Sequence, residues 1–170
     1  MVAAWETSNR VTEFFFENLP NELWNEKIPG APRKTVRMIA GHIHNARCMW
    51  IKMIGKNYGI APPKGVDRRI VNRRSLLSAL KKSNNTMIKL INIGIDQNGT
   101  LGVDVPWMNM PKDVTHFICY LIAHEAHHRG QIILVARASG HRLRPEVTNG
   151  IWQWKKRQKE TAMKFANRDL

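Results

Sequence analysis

The chain is predicted to be an all-α four-helix bundle with a C-terminal covering segment. Two observations predict this: apolar residues recur at helical spacing in four segments separated by Pro/Gly-rich stretches, and no segment shows convincing strand alternation. With 170 residues, the chain is read as one domain spanning 1–170, long enough to bury a core.

The first helix is expected from about Ala4 to Leu19, with Val11, Phe14, Phe15 and Leu19 near one face and Pro20–Asn21 as its stop. Ile28-Pro29-Gly30-Ala31-Pro32 reads as a loop. The second helix is expected from Thr35 to Ile54, with Val36, Ile39, His42/Ile43, Ala46, Trp50 and Met53/Ile54 at helical spacing and Gly55 as C-terminal stop. Residues 56–72 contain Gly59, Pro62, Pro63 and Gly65 and read as a long basic loop. This loop could be a crossover, so helix order is left open.

The third helix is expected over Arg73–Asp96, with the stripe Leu76, Leu77, Leu80, Met87, Ile88 and Ile91, interrupted by Asn84. A second connection follows over 97–111, in which Thr100 to Val105 could be a short extended piece. The fourth helix is expected over Lys112–Ser139, with Pro111 as start signal and Gly140 as stop. The segment Pro145–Ala166 reads as partly helical, with Ile151, Trp152 and Trp154 able to cover the bundle.

Composition narrows the function classes. No apolar run is long enough for a membrane span. The first twenty residues carry Glu6, Glu13 and Glu17 instead of a basic start and apolar stretch, so no secretory signal is expected and the location reads as cytoplasmic. Cys48 and Cys119 lack paired spacing and read as small, buried, reduced side chains. Their disulfide reach depends on whether helices two and four run parallel or antiparallel. The formal net charge of +14 favours anionic partners. The basic residues are dispersed, however, so nucleic acid is not favoured over a small-molecule substrate. The tryptophans Trp5, Trp24, Trp50, Trp107, Trp152 and Trp154 read as core and rim packing.

The most informative stretch is His124-Glu125-Ala126-His127-His128-Arg129-Gly130-Gln131, which interrupts an apolar segment. On a helix, His124 and His128 lie one turn apart on one face, where two imidazoles can close on one divalent metal. A catalytic site needs a third ligand, sought on another helix. His42 and His44 point to nearly opposite sides of helix two. His42 lies nearer the apolar side and is taken as the ligand, with His44 reaching solvent or the site edge. His127 reads as a hydrogen-bond partner or helix contact, and His116 and His141 as surface histidines. The literal H-E-x-x-H match would make Glu125 the general base of a metalloprotease, but the usual extensions of that motif are missing.

Ala40-Gly41-His42-Ile43-His44-Asn45-Ala46-Arg47 with Trp50, His124-Glu125-Ala126-His127-His128-Arg129-Gly130-Gln131, and Pro145-Glu146-Val147-Thr148 leading to Trp152 and Trp154 resemble the DinB/YfiT-like metalloenzymes. The resemblance spans most of the chain, and His-x-x-x-His-Arg-Gly-Gln is its specific part. It implies a four-helix bundle holding a divalent metal, often nickel or zinc, on three histidines. By position these are His42, His124 and His128. It further implies that Gly130 allows close helix approach and that Gln131 helps set the packing. Homodimers are frequent among such proteins, and relatives include thiol-dependent S-transferases and a mycothiol-dependent maleylpyruvate isomerase.

The expected function is therefore a metal-dependent thiol S-transferase or related hydrolase. A thiol or water that loses its proton at the metal would attack an electrophile or be the hydrolytic nucleophile. Arg47 and Arg129 are candidates to hold a carboxylate-bearing, low-molecular-weight thiol. The alternative is a non-catalytic, metal-stabilised binding protein with a basic surface. Imidazole ligands leave zinc, nickel, copper and iron open. Substrate specificity is expected in the loops 56–72 and 97–111.

Overall fold

In a computed structural model, residues 1–102 and 112–166 are described, with side chains to residue 162. Four long helices dominate: α1 (Val2–Glu17), α2 (Val36–Gly55), α3 (Arg73–Asp96) and α4 (Val114–Ala138). Between α1 and α2 lies a hairpin of β1 (Lys27–Ile28) and β2 (Ala31–Thr35), paired antiparallel as Lys27↔Thr35 and Ile28↔Ala31. The loop expected at 28–32 is thus the end of β1, the turn and the start of β2. Its strands are too short to show a period of two, and Gly30 takes φ 73° in the turn. After α4 come α5 (Pro145–Gly150) and α6 (Trp154–Ala166).

Two apolar clusters establish the helix directions. One joins Phe15 and Phe16 of α1 with Leu19 just after it, Val36, Ile39, Ala40 and Ile43 of α2, Leu76 and Leu80 of α3, and Ile132, Val135 and Ala136 of α4. The other joins Trp5, then Trp50, Ile51 and Ile54, then Met87, Leu90 and Ile91, then Val114, Phe117, Ile118 and Leu121. The late part of α1 therefore meets the early parts of α2 and α3 and the late part of α4. The order is up-down-down-up, with α2 and α3 parallel and α2 and α4 antiparallel. Residues 56–72 are the crossover that returns the chain along the bundle. Because α2 and α4 are antiparallel, Cys48 and Cys119 fall on the same side of the histidines. Both are nevertheless free thiols, Cys48 buried and Cys119 exposed. Cys119 thus departs from the buried reading.

The crossover is held against α2. Asn45 Nδ2 donates to Val66 O (3.0 Å), and its Oδ1 accepts from Val66 N (2.8 Å). Arg68 Nε donates to Met38 O (2.8 Å). Gly41 makes this approach feasible, since a Cβ there would lie 3.1–3.3 Å from Arg68, Val71 and Val66. Gly55 does not end α2 with a left-handed turn; that conformation belongs to Gly59 at φ 67°. A Cβ on Gly55 would sit 2.6 Å from Ile60 O, so the residue serves close backbone approach instead.

Helix α3 begins with a capping box: Asn72 Oδ1 accepts from Ser75 N, and Ser75 Oγ accepts from Asn72 N. Helix α4 is capped by Asp113, whose Oδ1 accepts from Thr115 N (2.8 Å) and His116 N (3.0 Å). Pro111, Trp107 and residues 103–105 of the expected extended piece lie outside the described residues, although Thr100 forms a bridge with Asp113.

The C-terminal segment covers α1. The Arg157 guanidinium lies 4.0 Å over the Phe14 ring, and Glu160 accepts from Arg10 Nε (2.8 Å). Ile151 packs against the core, but Trp152 is 78% exposed and Trp154 38%, so neither tryptophan covers the bundle as expected. Among the described residues, no helix is long and apolar enough to cross a membrane.

Candidate metal centre

Consecutive residues of α4 enter two different environments. Glu125 and Arg129 lie on the buried stripe that also carries Phe117, Ile118, Leu121 and Ile132. His124 and His128 flank that stripe on the side of α2 and remain half-buried. The antiparallel register brings His42 opposite them, with ring centroids 5.2 Å from His124 and 4.7 Å from His128. One ring nitrogen from each of the three lies within 4.8 Å of the others. The structure thus brings the three chosen histidines together, but not for the reason given from the sequence. The imidazole buried in the interior is His44, 0% exposed, whereas His42 sits at the rim between α2 and α4.

His44 is enclosed by the crossover and α3, neither of which helical periodicity can foresee. Its Nδ1 lies 3.2 Å from Ser83 Oγ and its Nε2 3.1 Å from Lys64 O. Cys48 Sγ lies 3.2 Å from the same Nε2, and burial pushes this thiol up to about 11, which keeps it protonated.

The donor set fits a divalent cation. His128 Nε2 and His124 Nε2 are 3.1 Å apart. Two nitrogens about 2.0–2.1 Å from one ion are ~2.9–3.4 Å apart across octahedral to tetrahedral angles. His128 Nδ1 lies 2.7 Å from Gln131 Oε1, an acceptor. The proton is therefore held on Nδ1, and the Nε2 lone pair is free to point at the cluster. Gln131 thus supports a candidate ligand instead of setting helix packing. Its position three residues after His128 was a readable signal for that contact. Tyr120 stacks on His124 (6.0 Å, 23°) and Trp50 meets Tyr120 edge-on at 5.3 Å, which restrains the His124 ring.

All three imidazoles are neutral near pH 7. Burial, then the charges of His128, His124, Arg68 and Lys34, pushes His42 down to about 4. Burial first, then neighbouring histidines, also lowers His124 and His128. Neutral imidazole is the form that binds a metal.

Glu125 is not positioned as a general base. Arg47 grips it in a fork, Nε to Oε1 at 2.6 Å and Nη2 to Oε2 at 2.8 Å. Thr12 Oγ1 donates to Oε2 (2.7 Å) and accepts from Arg129 Nη1 (2.6 Å). Burial alone would raise the Glu125 pKa, but Arg47, then Arg129 and Thr12, outweigh it and hold the group ionised. Arg47 also donates to Asn9 Oδ1 (2.8 Å) and stacks 4.9 Å over Trp5. Arg47 and Arg129 are accordingly structural ions inside the bundle and not the groups at a site opening that the sequence suggested.

The remaining expected residues are placed as follows. His127 is exposed, 5.1 Å centroid-to-centroid from His128. His116 and His141 are surface residues. Gly130 is exposed, and a Cβ there would meet nothing within 4 Å, so it mediates no close helix approach in this chain.

Known proteins offer two points of comparison. No protein of curated function matches this sequence. A crystal structure of a DinB-like protein from Bacillus cereus ATCC 10987 has a similar fold, with TM-score 0.61 at 23% identity, over 83% of this chain and 91% of that one. The family model for the DinB family matches residues 1–161. With nearly its whole length matched, and with an up-down-down-up bundle carrying three convergent histidines, the chain belongs to the DinB family.

Proposed function

We propose that this protein is a metal-dependent enzyme in which His42, His124 and His128 hold one divalent cation, zinc or nickel before iron. The reaction favoured is transfer of a low-molecular-weight thiol to an electrophilic small molecule, or a related hydrolysis. One observation carries the reading: three neutral ring nitrogens from two antiparallel helices converge within 4.8 Å with no carboxylate among them. A cation held by neutral imidazoles keeps its full positive charge and, when bound, acidifies a thiol or water at an open coordination position.

The chain's own residues supply the rest of the site. Gln131 sets the tautomer of His128, Tyr120 covers a face of His124, and the Glu125 network fixes the separation of α2 and α4. Three ligands instead of four favour an open, reactive position over a closed structural one. Neither cysteine is needed as a nucleophile, and Cys48 is held as a buried thiol.

Metal analysis on tag-free protein tests the reading, alongside His42→Ala and His124→Ala. About one ion per chain, lost in both variants, is expected. The loaded protein should then conjugate thiols to a chromogenic electrophile, and this activity should vanish on chelation. An ion that binds without supporting any thiol- or water-dependent turnover would favour a metal-stabilised binding protein. The resemblance also favours a homodimer, which light scattering tests.

A further inference from the structure

Four basic side chains gather near the histidines. β2 runs through Arg33 and Lys34 directly into α2, and the crossover folds Arg68 and Arg69 back over the same helix start. Between them lies a cavity of about 550 Å³ lined by Arg33, Lys34, Arg37, Arg69, Asn25 and Met38, among others. No carboxylate lines it. Among the described residues, none of these cations, nor Arg68, makes an ion pair. Arg37 is oriented by neutral acceptors, Asn25 Oδ1 at 2.8 Å and Ile70 O at 3.2 Å. The nearby Asp67 carboxylate accepts from the backbone N–H of Arg69 (2.8 Å).

A second cavity of about 560 Å³, between α1 and α3, shows the contrast. There Arg10 and Lys81 are matched by Glu6, Glu13 and Glu17. Carboxylates outnumber the cations at that cavity and are absent from the first.

The cationic cavity also adjoins the candidate metal centre. Met38 in its wall lies one helical turn before His42 on the same face of α2. Arg68, beside it, donates from Nε to Met38 O (2.8 Å) and packs against Gly41, the residue before His42. Four uncompensated cations in a space of this size suit the oxyanion of a small molecule, since guanidinium groups bind carboxylate and phosphate in matching geometry.

Building on the metal-enzyme reading, we propose that this cavity is the anion subsite of the histidine centre. Arg33, Lys34, Arg37 and Arg69 hold the carboxylate or phosphate end of a small-molecule substrate or co-substrate, and its reactive end lies toward His42. The subsite selects anionic small molecules and explains why a small enzyme keeps unpaired cations there.

Calorimetric titration of the full chain with pyrophosphate and with succinate, at constant ionic strength, tests this. Saturable one-site binding of at least one probe is expected, and which one binds assigns phosphate or carboxylate. The double variant Arg33→Gln/Arg69→Gln should weaken it by roughly 10-fold or more, the effect of losing charge-assisted contacts. Lys155→Gln/Lys156→Gln, on exposed α6, should leave it unchanged. Both Arg33 and Arg69 are exposed, so the first variant should keep the wild-type melting temperature. Metal content of the wild-type chain, read beside the titration, separates the two readings. Anion binding that follows Arg33 and Arg69 in a chain that never loads metal sinks the metal reading and leaves the cavity standing. Metal loading without saturable anion binding does the reverse. Equal affinity in both double variants overturns the proposal. So does tighter, steeply salt-dependent binding of a single-stranded RNA that both double variants weaken alike.

Discussion

The histidine cluster and the Arg47–Glu125–Arg129 network use neighbouring residues of the same two helices, yet they are opposite kinds of polar site. His124 and Glu125 are adjacent, as are His128 and Arg129. In the network every carboxylate oxygen has donors, and the ions sit inside the bundle where water cannot reach them. In the cluster three half-buried rings bring one nitrogen each to within 4.8 Å of the others, with His124 Nε2 and His128 Nε2 3.1 Å apart and no carboxylate among them. The satisfied site braces α1, α2 and α4, and the unsatisfied one is available for chemistry. Buried charge is thus a poor guide to function here, and convergence without satisfaction is the better one.

The largest expected effect tests the brace. Glu125→Leu leaves two buried guanidinium groups unpaired and should lower stability in urea by about 3–5 kcal/mol. A loss below about 1 kcal/mol would place the network among weak surface pairs and erase the distinction. Next comes the cluster. His124→Ala should leave metal-free protein within about 0.5 kcal/mol of wild type. It should abolish the zinc-induced gain, which is ~2.7 kcal/mol when free zinc is 100 times its Kd. Thermal unfolding with and without chelator reads both quantities, and a gain retained in the variant would remove His124 from the ligand set.

Gln131→Leu sharpens the comparison by releasing the His128 tautomer while sparing all three candidate ligands. Metal affinity should fall about 10- to 100-fold in a competition titration, and an unchanged affinity would return Gln131 to a packing role. The smallest effect is expected at His127. His127→Ala should leave metal content unchanged and stability within about 0.5 kcal/mol. Metal loss in that variant would mean that the wrong pair of α4 histidines has been assigned.

Much of the fold was legible from residues alone. The expected span Arg73–Asp96 coincides with α3, because its apolar stripe is readable despite the interruption at Asn84; the structure adds the Asn72–Ser75 capping box at its start. The His124/His128 pair was legible because four-residue spacing on a helix is a local property. Gln131 was within reach of the same reasoning, three residues beyond His128, but the resemblance assigned it to packing. Arg47, Arg129 and His44 were misplaced because burial of a charged or polar side chain depends on which other segment supplies its partner. Glu125 lies 78 residues from Arg47, and Lys64 lies 20 from His44.

By itself, the sequence determined the helical class, the approximate span of each long helix and the spacing of His124 and His128, since each follows from periodicity and capping within a few turns. The tertiary structure alone decided the up-down-down-up order, the approach of His42 to the α4 pair, the pairing of Glu125 with Arg47 and the gathering of Arg33, Lys34, Arg37 and Arg69 around one cavity. These depend on how segments far apart in the chain cross and pack. A helix's own pattern shows which residues share a face but carries no information about what that face will meet.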